Sequence, residues 1–106
     1  MRRRLVRTRA ADRDLVRHVG RIAADRPATA RRFLIAAEAA FRRLERLPEI
    51  GALRPSTRRG MTNARMWPIP SFHVFLILYR VTERTVDIVR VIHAKEDITR
   101  HLPPRR

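Results

Sequence analysis

Two apolar runs separated by a few polar residues constrain this chain more than anything else in it. Phe72 to Val81 is an almost unbroken series of apolar, aromatic and β-branched residues, and Thr85 to His93 is a second. Their spacing predicts a β-hairpin. In the first run both alternating sets, Val74/Leu76/Leu78 and Phe75/Ile77/Tyr79, are apolar, which predicts a strand at the centre of a sheet, covered on both faces. A second layer must cover one of those faces.

The residues upstream supply that layer. Arg2 to Thr8 reads as a short first strand with Leu5 pointing inward, and its arginines suit an edge, where charge discourages unwanted pairing. Thr8 is placed to cap a helix that runs to about Ala24, with Leu15, Val19, Ile22 and Ala23 on one stripe. Asp25-Arg26-Pro27 breaks the run, and Pro27 suits the first turn of a second helix because its missing N–H has no acceptor there. That helix, to about Leu47, repeats apolar residues at Ala30, Phe33, Leu34, Ala37, Phe41 and Leu44, with Arg31, Arg32, Glu38, Arg42, Arg43 and Glu45 opposite. Pro48 ends it. Pro48 to Asn63 has no sustained period and reads as a loop. Arg65 to Ile69 has the composition of a short strand closed by Pro70-Ser71, and Pro68 confines it to an edge or a bulge.

The order strand, helix, helix, three strands predicts an α+β fold: a two-helix antiparallel hairpin packed on a four-stranded antiparallel sheet. With 106 residues the chain has material for one core, so residues 1–98 are expected to form a single domain. Residues 94–98 are expected to form a turn of helix and 99–106 an exposed tail. There is no cysteine, hence no thiol chemistry or zinc-finger spacing, and neither a metal site nor a cofactor is implied. The start, Met1-Arg2-Arg3-Arg4-Leu5, lacks the apolar segment of a signal peptide, and no apolar run is long enough to span a bilayer. A soluble cytoplasmic protein with no membrane partner is the expectation.

The formal charge is +15, from 25 Lys+Arg against 10 Asp+Glu, and nearly all of the cations are arginine. Arginine binds phosphate and carboxylate bidentately, so a nucleic acid and an acidic protein are both admissible partners. The alternative is an arginine-rich, GC-rich genome together with a need for solubility. Arg58, Arg59 and Arg65 form a basic cluster in and after the loop, and Arg80 and Arg90, on adjacent strands, can share a sheet face as a second. The alternative for that pair is neutralisation by Asp87, Glu83 or a carboxylate of the tail.

His93, an imidazole at a strand end, is the sharpest candidate for acid–base chemistry, although a histidine there more often caps backbone or packs on a helix. His18 falls off the apolar stripe, and His73 and His101 have no visible partner. Tyr79 sits on the central strand, where a core role outweighs a catalytic one. Met66, Trp67, Leu76 and Leu78 are expected to remain beyond the reach of two helices and so to need a cover, which marks them for a partner protein.

Several segments, in order, resemble a known family. They are Ala11-x-x-Asp14-Leu15, Pro27-x-x-Ala30-Arg31-Arg32-Phe33, Leu47-Pro48-Glu49-Ile50-Gly51, Met66-Trp67-Pro68-Ile69, Phe75-Leu76-Ile77-Leu78-Tyr79-Arg80 and Arg90-Val91-Ile92-His93-Ala94-x-x-Asp97-Ile98. Together they resemble the RelE/ParE toxins of bacterial type II toxin–antitoxin systems, on the ParE side. The resemblance implies the same helix-hairpin-on-sheet fold, a cognate ParD-like antitoxin in a hetero-oligomer, and a toxin that poisons DNA gyrase, with Arg58, Arg59, Arg65, Arg80 and Arg90 meeting the target. The RelE-like alternative is an mRNA endonuclease, for which His93, Arg65 and Tyr79 are the available catalytic residues. The His-Tyr pair of some family ribonucleases is absent, since Ala94 follows His93.

Overall fold

The computed structural model describes residues 2–54 and 63–96. In chain order the elements are β1 (Arg4–Arg7), α1 (Arg9–Asp25), α2 (Pro27–Arg46), β2 (Ala52–Leu53), β3 (Ala64–Ile69), β4 (Phe72–Val81) and β5 (Thr85–His93). Both helices begin as their residues predict. The Thr8 hydroxyl accepts the Ala11 N–H at 3.0 Å, and Pro27 opens α2 in its first turn. Of the described residues, no helix is long and apolar enough to cross a membrane.

The strands form one sheet in the order β1-β5-β4-β3-β2. The expected sheet of four antiparallel strands is thus corrected in two details. Ala52 and Leu53 add a two-residue fifth strand paired with Met66 and Arg65, too short to show a period of two in sequence. β1 lies parallel to β5, with Arg4 opposite Thr85 and Arg7 opposite Ile88. Hairpins force β3, β4 and β5 to alternate, whereas nothing local sets the direction of a terminal strand that pairs far along the chain.

The helices cover one face. Phe33, Ala37, Phe41 and Leu44 of α2 and Ala11 and Leu15 of α1 pack on Ile69, Ile77, Tyr79, Val86, Ile88 and Val91 of the sheet. Each large side chain buried there contributes about 1.5–3 kcal/mol. The opposite face holds a smaller cluster, Ala64 and Leu78, with Met66 and Val89 packed against it.

The buried side of α1 differs from the expected stripe. Ala11, Asp14, Leu15 and His18 are its buried residues, while Val19, Ile22 and Ala23 are only half-buried and Val16 is 74% exposed. Leu15, Val19 and Ile22 of the expected stripe do pack on the core, but two of the four most buried residues are polar, so a hydrophobic pattern alone sets the centre of the buried face too far to one side. The domain expected over residues 1–98 and the tail over 99–106 extend past the described residues from position 97 onward.

Candidate functional site

The buried polar face of α1 closes an edge of the sheet. β1 covers β5 only as far as Ile88, where the Thr8 N–H reaches the Ile88 carbonyl at 3.1 Å. Leu78 lies opposite Arg90 and Tyr79 opposite Ile88, so Val89 is an extra residue, a bulge. Beyond it, side chains take the place of the missing strand. The Thr8 hydroxyl donates to the Val89 carbonyl at 2.8 Å, the Asp14 carboxylate accepts the Val91 N–H at 2.8 Å, and His18 Nε2 bonds the Val91 carbonyl at 2.8 Å. Glu96 accepts the His93 N–H at 2.7 Å. An edge covered in this way offers no template to another strand.

Asp14 is the centre of this arrangement. It is 2% exposed and holds Arg90 by both ends, with Nε at 2.7 Å and Nη2 at 2.8 Å; Arg17 adds a contact at 3.0 Å. Burial alone would push the Asp14 carboxyl upward, but the Arg90 and Val91 hydrogen bonds and the Arg90 charge outweigh it and hold the group below its ordinary range. His18, 3% exposed, moves the opposite way for its charge: burial lowers its pKa and keeps the ring neutral. His18 is off the expected stripe only because the stripe is rotated, and it stacks edge-on against Phe75 at 4.9 Å and Phe33 at 6.3 Å.

A second tie joins the end of α2 to the sheet. The Tyr79 hydroxyl donates to the Pro48 carbonyl at 2.7 Å and accepts the Gly51 N–H at 2.9 Å. Arg65 Nη1 donates to the carbonyls of Glu49 at 3.1 Å and Gly51 at 2.7 Å. Gly51 is required by the closeness of this approach, since a Cβ there would run into the Tyr79 hydroxyl and stand 2.9 Å from the Met66 carbonyl. Burial raises the Tyr79 pKa, so the phenol stays protonated as its donor role needs.

The candidates named from sequence fall into place unevenly. Arg58 and Arg59 lie outside the described residues. Arg65 is occupied at Glu49 and Gly51, Arg80 meets Asp87 at 3.0 Å, and Arg90 is held by Asp14; the tail carboxylate offered as an alternative lies outside the described residues. The Arg80–Arg90 pair is therefore neutralised, each by its own carboxylate. His93 accepts the Lys95 N–H on Nδ1 at 3.1 Å and sets its ring edge-on to Phe75 at 5.1 Å. Met66 lies opposite Leu78, and Pro68 opposite Leu76, on the helix-free face. Trp67 is opposite Ile77 and packs on the helix side, so the four apolar candidates are divided between faces. Leu78 is already fully buried there.

Two clefts went unnoticed in the sequence. One lies along the helix hairpin, lined by Leu15, Val16, Val19, Gly20 and Leu34 with Arg7 and Asp12 at its rim. Its wall is almost entirely apolar; Val16, apolar yet off the expected stripe of α1, was the available signal, whereas Leu34, expected on the apolar face of α2, is exposed. The other lies where the start of β1 meets the end of α2, lined by Arg2, Arg3, Arg42, Glu45, Arg46 and Pro48. Only the fold brings residues 2–3 and 42–48 together.

Comparison with known proteins follows the same lines. The family model described as "ParE toxin of type II toxin-antitoxin system, parDE" matches residues 5–98. A solved structure described as "Chromosomal ParDE TA system from P. aeruginosa" contains a similar chain: 23% identity, 86% of this chain and 95% of that one covered, TM-score 0.71. At that identity the likeness is one of fold. No curated protein matches the sequence.

Proposed function

The chain belongs to the ParE toxin family of type II toxin–antitoxin systems, and from that premise we propose that it acts in the cytoplasm by binding and inhibiting DNA gyrase. Replication then stalls, and a cognate ParD-like antitoxin holds the toxin inactive in a hetero-oligomer. One observation carries the choice of binding over catalysis. The residues that a RelE-like ribonuclease reading has to use are already bonded within the fold: the Tyr79 phenol at Pro48 and Gly51, Arg65 at Glu49 and Gly51, and His93 at Lys95. Tyr79 is also fully buried. A metal-independent ribonuclease needs an acid, a base and cations converging on one phosphate, and these three groups converge on backbone instead.

For the antitoxin, the apolar cleft between the helices is the better-shaped ground. A segment that orders on binding gains most where apolar anchors are buried, and Val16 and Leu34 stand exposed on that cleft with Arg7 at the rim. Met66 and Leu76 on the free sheet face are a second region that the same partner can reach. The test is a supercoiling assay with purified gyrase and relaxed plasmid, run beside an mRNA cleavage assay with and without ribosomes. Loss of supercoiling or trapped cleaved DNA, with mRNA intact, is expected. Cleavage of mRNA that disappears in His93→Ala would replace this reading with the ribonuclease one.

A further inference from the structure

The arginines of this chain divide by what they meet. Arg7 is held by Asp12 and Glu38, Arg17 and Arg90 by Asp14, and Arg80 by Asp87. Arg2, Arg42 and Arg46 have no carboxylate partner among the described residues, and all three are exposed. They converge with Arg3 on one open cleft of about 550 Å³. Arg3 donates through Nε to the Thr82 carbonyl at 2.7 Å, which fixes the stem and leaves the two Nη groups to solvent or ligand. Arg42 and Arg46 stand one helical turn apart on α2, on the same side. A cation in the last turn of α2 is favoured by the helix dipole, and that accounts for Arg46 by itself. It does not account for Arg2 and Arg3, brought from the segment just before β1 to face it.

We propose that this arginine cleft, between the start of β1 and the end of α2, docks the phosphate backbone of duplex DNA. Among the described residues, four guanidinium groups around one carboxylate, Glu45, repel one another until an anion lies between them, and phosphate accepts from the guanidinium fork bidentately. The lining decides among anions. Among the described residues Pro48 is the one apolar side chain in it, so a disordered acidic peptide finds few anchors there, unlike in the helix cleft, whereas a phosphate backbone is bound by charge alone. Among the described residues no aromatic ring lines the cleft, so they offer nothing on which an unpaired base would stack, which favours a duplex over a single strand. The choice of DNA over an RNA duplex rests on the gyrase reading, since that enzyme works on duplex DNA. In that setting the cleft grips the DNA while another surface meets the protein.

Binding can be measured without gyrase. Fluorescence anisotropy of a labelled DNA duplex is followed across a salt series with wild-type protein, with Arg2→Gln/Arg42→Gln/Arg46→Gln, and with Arg9→Gln/Arg13→Gln/Arg21→Gln. The last removes equal charge from exposed positions of α1. All three proteins are checked for equal thermal unfolding. The cleft variant is expected to bind at least tenfold more weakly, with the slope of log affinity against log salt reduced by roughly two to three, while the α1 variant stays close to wild type. Equal losses in both variants would reduce the effect to net charge and overturn the assignment. Displacement of the duplex by polyglutamate at equal charge would assign the cleft to an acidic peptide instead, and tighter binding of an RNA duplex would reject DNA. Wild-type protein that inhibits gyrase without binding duplex would overturn this inference and leave the proposed function standing; duplex binding without gyrase inhibition would do the reverse.

Discussion

Arg90 and Arg42 carry the same side chain under different physical conditions. Arg90 is clamped at both ends by a carboxylate that is almost wholly out of water, so removing either partner strands a charge or a backbone donor in the interior. Arg42 is solvated at the mouth of an open cleft, so its loss leaves the fold nothing to repair. A charge of +15 is thus not one property of the molecule. Part of it holds the sheet edge to α1, and part faces outward with no internal partner.

The largest effect that sharpens this contrast is expected at Asp14. Asp14→Ala leaves Arg90 unpaired and the Val91 N–H without its acceptor, and breaking a buried pair from one side costs about 3–5 kcal/mol. Urea unfolding would read that as a midpoint shift taking up much of the stability of a domain this size. A loss below about 1 kcal/mol would mean that water replaces the carboxylate and that the clamp is peripheral. Next comes the tie at the end of α2. Tyr79→Phe keeps the ring but leaves the Gly51 N–H and the Pro48 carbonyl unpaired, at a cost of about 1–3 kcal/mol, and Gly51→Ala is expected to be at least as damaging because of the contact with the Tyr79 hydroxyl. If either variant lost ribonuclease activity without losing stability, these residues would belong to a catalytic set.

The pH dependence separates the two parts of the clamp. Burial depresses the His18 pKa in the folded chain, among Arg17, Glu96 and Asp14, so the unfolded chain takes up a proton there that the folded chain refuses. Stability from His18 is full above the ordinary histidine range and is lost as the pH falls below it. Asp14 is also depressed, so its share is present above the ordinary carboxylate range and is lost as the pH falls through the folded value. Both make acid destabilising, in two windows. His18→Gln should flatten the one nearer neutrality and leave the more acidic one intact, as read by thermal unfolding across pH.

Smaller effects are expected at the surface. Arg42→Gln/Arg46→Gln should change stability by no more than about 0.5 kcal/mol per site, in contrast to Asp14. Ser71 holds a φ of 70° after Pro70 in the turn between β3 and β4, the geometry of a type II turn that favours glycine at its second central position. Ser71→Gly should therefore be neutral or stabilising by about 1 kcal/mol or less.

How far the sequence foretold these regions follows from the kind of signal each leaves. The helix caps at Thr8 and Pro27, the α2 face through Phe33, Phe41 and Leu44, and the β4–β5 hairpin were legible because capping and periodicity are local. The two-residue β2 and the parallel pairing of β1 were not, since one is too short for a period and the other depends on a strand about eighty residues away. Asp14 and His18 were missed for a chemical reason: they are buried because they cap the backbone of β5, and a reading that searches for apolar faces discards polar residues. The division of Met66 from Trp67 follows from strand alternation, which treating them as a pair overlooked.

The most direct test sets wild-type protein against Arg2→Gln/Arg42→Gln/Arg46→Gln in gyrase supercoiling, over a dilution series, with unfolding curves taken on the same preparations. The wild type should inhibit, and the variant, equally stable, should need roughly tenfold more protein for the same inhibition, as the loss of about three phosphate contacts implies. Coincident inhibition curves would remove the cleft from the mechanism. A wild type that leaves supercoiling untouched while cutting mRNA would contradict the account of a toxin that acts by binding gyrase.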